Sequence, residues 1–357
     1  MKVLMIGSHL RVTGGITRVI KNYFEAGLGK KVSLEHFPTY FGSNHIYNLI
    51  YYFIKYLTLI IKLFVFNQKY DVAHIHMSYK GSFFRKKLII NLLYTKNIPI
   101  IIHMHGSQFK DFYKDSSPSQ KRKIQCTLNK ASAILALGEQ WKSFYQEIST
   151  SHVISLDNAV FPKDILKENH DKKYITTMGV ISKRKGSYDL VRLASNIKGK
   201  IDEGYKFLLA GDGEISELKS KIKELDVEDM FVLPGWISNQ EKIEEIYQKS
   251  ALYILPSYNE GMPMSILEAM SYGLPVISTN VGSIPSVVEK DNGIIFTPGD
   301  IQTLEKSIIS LLNDKDKIDF YAKNNVEKIK KKYNIYDSIN QLVSIYKNIQ
   351  SVNRNDQ

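Results

Sequence analysis

The chain has 357 residues, room for two domains, with the 43% hydrophobic and 24% charged content of an ordinary globular protein. Its net charge of +12 is unevenly placed: residues 1–160 hold 21 Lys/Arg against 8 Asp/Glu, whereas 161–357 hold 27 against 28. The single cysteine, Cys126, excludes an internal disulfide and favours a reducing compartment, and no nucleic-acid-binding signature accompanies the basic half.

In chain order, "MKVLMIG" reads as a strand, because its apolar run is too short for a signal peptide. "SHLRVTGGITRVIKNY" follows, and Gly14-Gly15 opens a predicted helix. Glycine there lets backbone N–H groups approach a phosphate at the helix N-terminus, although the same pair also suits a plain turn. The stretch 46–69, "IYNLIYYFIKYLTLIIKLFVFNQK", approaches the length of a membrane span, yet Lys55 and Lys62 lie inside it. Asn48, Lys55, Lys62 and Lys69 recur every seven residues and define one narrow helical stripe. The expectation is a largely buried domain helix; an interfacial helix facing lipid is the alternative. "YDVAHIHM", "IPIIIHMHG", "SAILALG" and "HVISLDN" complete the strands of the first half. His74 and His76, like His103 and His105, fall on one face of their strand, an arrangement that zinc could use. No carboxylate or cysteine stands beside them in sequence, and no metal is expected.

The polar stretch 161–174 separates this half from the strands "KYITTMGV", "YKFLLAGDG", "MFVLPGW", "ALYILPS", "LPVISTN" and "NGIIFTPGD". Continuous apolar strands alternating with helices indicate parallel sheets covered on both faces. The expected fold is therefore α/β, with two Rossmann-like doubly wound domains facing a central cleft that holds the active site. The expected boundaries are 1–165 and 166–335, with a helix at 336–357 packing back on the first domain. At the first turn of the second domain, Lys183, Arg184, Lys185 and Gly186 crowd three cations that a diphosphate would neutralise. Gly211 and Gly213 allow close approach of the backbone to a ligand. In "NEGMPMSILEAM", Glu260 and Glu268 are spaced wrongly for a shared-proton pair on one helix. A helix starting between them puts Glu260 on the preceding loop and Glu268 two turns in. Asp314-Lys315-Asp316 lies between helices and reads as a polar linker rather than a metal motif.

The spacing of Glu260 and Glu268, "EAMSYGLPVI", "NGIIFTPGD", "KRKGSYDL", "AGDGEISELKSKI", "LPGWIS", the N-terminal "GG" and "HMHGS" together resemble glycosyltransferase family 4, the retaining enzymes of GT-B fold. The overall pattern is similar to bacterial capsular and exopolysaccharide enzymes that build on a lipid carrier. The resemblance implies a nucleotide-sugar donor, UDP-linked, with Glu260 and His105 at the transferred sugar and Glu268 at the ribose. It implies Lys185 at the diphosphate; the loop amides of Gly261, Met262 and Met264 can donate to phosphate or sugar, whereas Pro263 has no amide to give. Where the family carries an arginine after the strand glycine, this chain has Val180 after Gly179, and Arg184 is the expected substitute.

The expected activity is metal-independent sugar transfer, with retention, to a saccharide or lipid-linked saccharide acceptor. Its expected setting is the cytoplasmic face of an anionic membrane, which the basic first half suits. A nucleotide-sugar epimerase of the same architecture and a non-catalytic membrane-associated scaffold are the alternatives.

Overall fold

The computed structural model describes residues 1–42, 44–164 and 172–355, with side chains as far as 352. The chain divides into two compact units, Met1–Ala159 with Ile335–Gln357, and Val160–Asn334. The expected boundary at 165/166 lies outside the described residues.

The first unit is a parallel sheet of β1 (Lys2–Gly7), β2 (Ser33–Pro38), β3 (Val72–Met77), β4 (Ile100–Met104), β5 (Ala133–Ala136) and β6 (His152–Ser155). Their order is β2-β1-β3-β4-β5-β6. Every residue of β3, β4 and β5 is buried, as a sheet covered on both faces demands. β2, "SLEHFP", has no apolar run to announce it. It is an edge strand, and its Glu35 and His36 are tolerated because its pairing to β1 supplies the order. The helix Gly81–Tyr94 follows β3 and buries Phe83, Lys86, Ile89, Ile90 and Leu93. The helix Ile335–Asn355 belongs to this unit, where the Tyr346 hydroxyl shares a hydrogen bond with His74 Nδ1 (2.5 Å).

The expectation of a largely buried helix after residue 45 is not met. His45–Ile60, capped by the Asn44 side chain and prolonged by a π-helical turn at Ile61–Val65, buries only Asn48, Tyr52, Leu59 and Leu63. Ile46, Leu49, Ile50, Phe53, Ile54, Leu57, Ile61 and Phe64 all face outward. Asn48, Lys55 and Lys62 of the polar stripe lie on the inner side instead, while Lys69 falls beyond the helix and is exposed. Asn48 Oδ1 accepts from the amides of Phe41 and Gly42, Lys62 pairs with Glu35, and the Lys55 amine sits over the rings of Phe37 and Tyr51. Satisfying those polar groups against β2 turns the apolar face to the exterior. By length and composition this is the one helix among the described residues that could cross a membrane.

The second unit is a parallel sheet of β7 (Tyr174–Met178), β8 (Lys206–Ala210), β9 (Phe231–Val232), β10 (Ser250–Leu255), β11 (Val276–Thr279) and β12 (Gly293–Phe296). The order β12-β11-β10-β7-β8-β9 shows the chain building outward from β7, then crossing back to lay β10 on its other side. One core runs through it, from Ile175, Leu190 and Phe207 to Leu252, Ile277 and Leu304. In open α/β sheets ligands gather beyond the carboxyl ends of strands where the order reverses. Here that place is between β7 and β10.

Candidate active site

The loops leaving β7 and β10 carry the cations and the first carboxylate singled out from sequence. Lys183–Lys185 form one tight helical turn, with Ser182 Oγ accepting the Lys185 amide (3.3 Å). The chain then passes Gly186 at φ +72°, where an added Cβ would fall 2.2 Å from the carbonyl oxygen of Pro256. Only glycine lets the two loops approach this closely.

Three bonds tie the loops together. The Lys185 amine pairs with Glu260 Oε1 (2.5 Å), the Arg184 guanidinium donates to the Asn259 carbonyl (2.8 Å), and the Tyr258 amide donates to the Arg184 carbonyl (2.9 Å). Ser257 Oγ donates a further bond to Glu260 Oε1 (2.8 Å). Glu260 is buried and Lys185 nearly so, so the pair is a fixed feature rather than a solvated contact. Two of the three cations are therefore not simply crowded: Lys185 is neutralised by Glu260, and Arg184 is spent partly on a carbonyl. Of the three, only Lys183 is exposed.

The helix Met264–Ser271 begins between the two glutamates, so Glu260 stays on the loop. Glu268 is its fifth residue, a little over one turn in rather than two, and is half-buried. Gly261, Met262 and Met264 line the buried entry to this helix. On the neighbouring loop, a Cβ on Gly211 would lie 1.7 Å from the carbonyl oxygen of Gly179. Joining the loops after β7 and β8 already requires a glycine there.

In the first unit, His105 follows β4 and His76 ends near the tip of β3. His76 Nδ1 meets His105 Nε2 at 2.9 Å, and His74 Nε2 meets His103 Nδ1 at 3.2 Å. Ligating nitrogens of His74, His76 and His103 lie within 4.8 Å of one another. The rings largely bond among themselves and to Tyr346, although the Nε2 atoms of His76 and His103 are buried without partners. Enclosure, then the Lys86 charge, pushes His105 down to about 3; enclosure, then His105, does the same to His74. The stack is neutral at ordinary pH. Gly14 and Gly15 open the helix Gly15–Glu25, and an added Cβ at either would meet nothing within 4 Å. Gly14, at φ +135°, needs glycine for its backbone; packing gives Gly15 no such reason.

The family model for glycosyl transferases group 1 matches residues 161–332. Those residues are a group 1 glycosyltransferase domain. A protein of Haemophilus influenzae described as an uncharacterized glycosyltransferase is 30% identical over 187 residues, 51% of this chain and 52% of its own. The chain thus spans about half the length of that relative. The UDP-Gal:alpha-D-GlcNAc-diphosphoundecaprenol alpha-1,3-galactosyltransferase of Escherichia coli is 24% identical over 305 residues, 78% of this chain and 76% of its own. Among solved structures, sucrose-phosphate synthase of Thermosynechococcus elongatus covers 99% of this chain and all of its own with a TM-score of 0.80. At 16% identity that likeness speaks to fold alone, and the fold is GT-B.

Within the glycosyltransferase domain, only Asp314 of the expected linker 314–316 lies between helices, where it caps the helix Lys315–Lys332 by accepting the Lys317 amide (2.9 Å); Lys315 and Asp316 already belong to that helix's first turn. Sequence reasoning passed over Ser257 and Asn259. Asn259 lends its carbonyl to Arg184, while its Oδ1 is buried without a partner. A serine and an asparagine before a glycine look like any turn, and only their placement beside Glu260 marks them.

Proposed function

We propose that the chain is a retaining glycosyltransferase. It moves a sugar from a UDP-linked donor to a saccharide acceptor on a lipid diphosphate in polysaccharide biosynthesis, and it needs no metal. One observation carries this reading: Lys185 and Glu260 pin together the two loops at the crossover of the second sheet, with Glu268 close behind on the next helix. Glu268 is suited to accept the two ribose hydroxyls. Lys185, Arg184 and the amides of Gly261, Met262 and Met264 are assigned to the diphosphate. Glu260, held by Lys185 and Ser257, is assigned to the sugar hydroxyls.

Among the described residues we assign none as a covalent nucleophile, so attack on the donor's own face is the mechanism we assign. The acceptor oxygen bonds to the anomeric carbon as the bond to phosphate breaks, and the departing phosphate oxygen takes the acceptor's proton. Fixed cations and amides stabilise the charge growing on that phosphate. His105 is assigned to a sugar hydroxyl, with its backbone carbonyl near the developing positive charge.

The first unit is assigned to the acceptor and to the cytoplasmic face of an anionic membrane. The outward apolar face of His45–Val65 supports this. So does a cavity of about 550 Å³ lined by Lys87, Arg122, Lys123 and Lys130. The named relative that acts on a diphosphoundecaprenol acceptor supports the lipid carrier.

Calorimetric titration with UDP tests the division of labour. Glu268→Ala should weaken UDP binding at least tenfold, whereas Glu260→Gln should leave it within about twofold and lower turnover. Equal losses in both variants would sink the assignment. Turnover should also survive EDTA; loss with EDTA and recovery on adding zinc or manganese would overturn the metal-free reading.

A further inference from the structure

The helix Gly81–Tyr94 turns Phe83, Lys86, Ile89, Ile90 and Leu93 inward. At helical spacing the second of these positions should be apolar, yet it is a lysine, only 3% exposed. Its amine has one hydrogen bond, to Ser82 Oγ (3.2 Å), and no carboxylate within ion-pair distance among the described residues. Ser82 Oγ also accepts the amide of Ser78, which fixes the turn after β3 around the amine. That turn is packed closely on the one after β4: a Cβ on Gly106 would fall 3.0 Å from Ser78 Oγ and 3.1 Å from the Tyr79 amide nitrogen. Lys86 is near enough to His76 and His105 to depress both rings. His76 Nε2 is itself buried without a partner.

A buried, unpaired ammonium is costly, and a core position that breaks its own pattern without compensation points to use rather than to stability. We propose that Lys86, with Ser78 and Ser82, is an anion subsite that takes an oxyanion, phosphate or carboxylate, carried by the acceptor. This rests on the assignment of the first unit to the acceptor. It makes the acceptor an anionic molecule, and it places the anion beside His105, the residue assigned to the transferred sugar. The opposite sign would suit the site badly, since neutral imidazoles and a lysine offer no counter-charge to a cation.

The test uses the full chain in saturating UDP, which occupies the nucleotide site, with inorganic phosphate and acetate as separate probes. Phosphate, acetate or both should raise the melting temperature of the wild type saturably, and the more effective probe names the anion's class. Lys86→Met should melt at or above the wild type, because an unpaired buried charge is gone, and should lose most of that response. Lys86→Arg should keep it. UDP affinity should stay within twofold in all three proteins.

A full phosphate response in Lys86→Met would place the anion elsewhere. No response in the wild type, with Lys86→Met less stable, would make the lysine structural. A tenfold loss of UDP affinity in Lys86→Met would give the anion to the donor and overturn the acceptor assignment. Should Lys86→Met fail to fold, Lys86→Gln carries the same comparison. Failure of UDP to bind the wild type would instead defeat the glycosyltransferase reading, whatever the probes do.

Discussion

Removing the lysine of the Lys185–Glu260 pair would strand a carboxylate that is only 8% exposed, with Ser257 as its remaining side-chain partner. Breaking a buried pair from one side costs about 3–5 kcal/mol, and the residual exposure of Lys185 favours the low end. Lys185→Met should therefore lower stability by about 3 kcal/mol in urea denaturation as well as turnover, and Arg184→Met should cost less on both counts. The reverse order would mean that Arg184, not Lys185, is the central cation of the loop. Gly15→Ala offers the opposite combination. Nothing crowds the position, so the helix should gain up to about 1 kcal/mol, while a phosphate approaching that turn would be impeded. A variant that is more stable and less active is the expected result; full activity would return Gly15 to the plain-turn reading. The lysine, the glutamate and the glycines of this site were legible because each has a motif around it. The partners Ser257, Asn259 and Pro256 were not, since nothing in a local stretch says which distant loop will lie against it.

At the scale of the element, the helix after residue 45 decides between core and surface. Phe53, Ile54 and Leu57 are 52%, 58% and 57% exposed, whereas Tyr52 is buried with its hydroxyl on the Arg85 carbonyl (2.7 Å). Changing all three outward residues to serine should leave the melting temperature nearly unchanged and abolish binding to anionic vesicles. Tyr52→Phe should cost about 1 kcal/mol and leave vesicle binding intact. Each nearby Lys or Arg adds about 1 kcal/mol of attraction to anionic lipid, screened over a Debye length, so wild-type binding should weaken as salt rises. Vesicle binding by the triple-serine variant equal to wild type would remove this helix from the membrane surface. Composition made the helix visible, but its orientation was misjudged. Within the polar stripe, Asn48 answers two backbone amides that follow β2 and Lys62 answers Glu35 on it, partners that the helix's own sequence does not reveal.

For the whole molecule, the buried ionisable groups set a pH dependence with a definite sign. His36 is pushed down to about 4, and His74 and His105 to about 3, chiefly by enclosure. Below their ordinary value near 6.5 the unfolded chain binds protons that the native state refuses, so stability falls as pH drops from 6.5 towards 4. Each such group adds a slope of about 1.4 kcal/mol per pH unit. Lys86 is lowered to about 7, by burial first and Arg85 second. Its native pKa lies below its unfolded value, so its cost is full below pH 7 and is relieved as pH rises towards 10. Urea denaturation across pH 4.5–9.5 should show the acid loss in both wild type and Lys86→Met, and the alkaline gain in the wild type alone. An alkaline slope of equal size in both proteins would mean that Lys86 is not enclosed.

The sequence by itself determined the two parallel sheets and the turns that bear the chemistry. Short β-branched runs between glycine-bearing turns and amphipathic helices are local signals, and a parallel sheet leaves few other ways to bury them. Tertiary structure alone decided which charges meet and which face a helix hides. Lys185 and Glu260 stand 75 residues apart, and Lys86 meets Ser82 but no carboxylate among the described residues. Burial and pairing depend on what the rest of the chain places around a group, and no periodicity within one element records that.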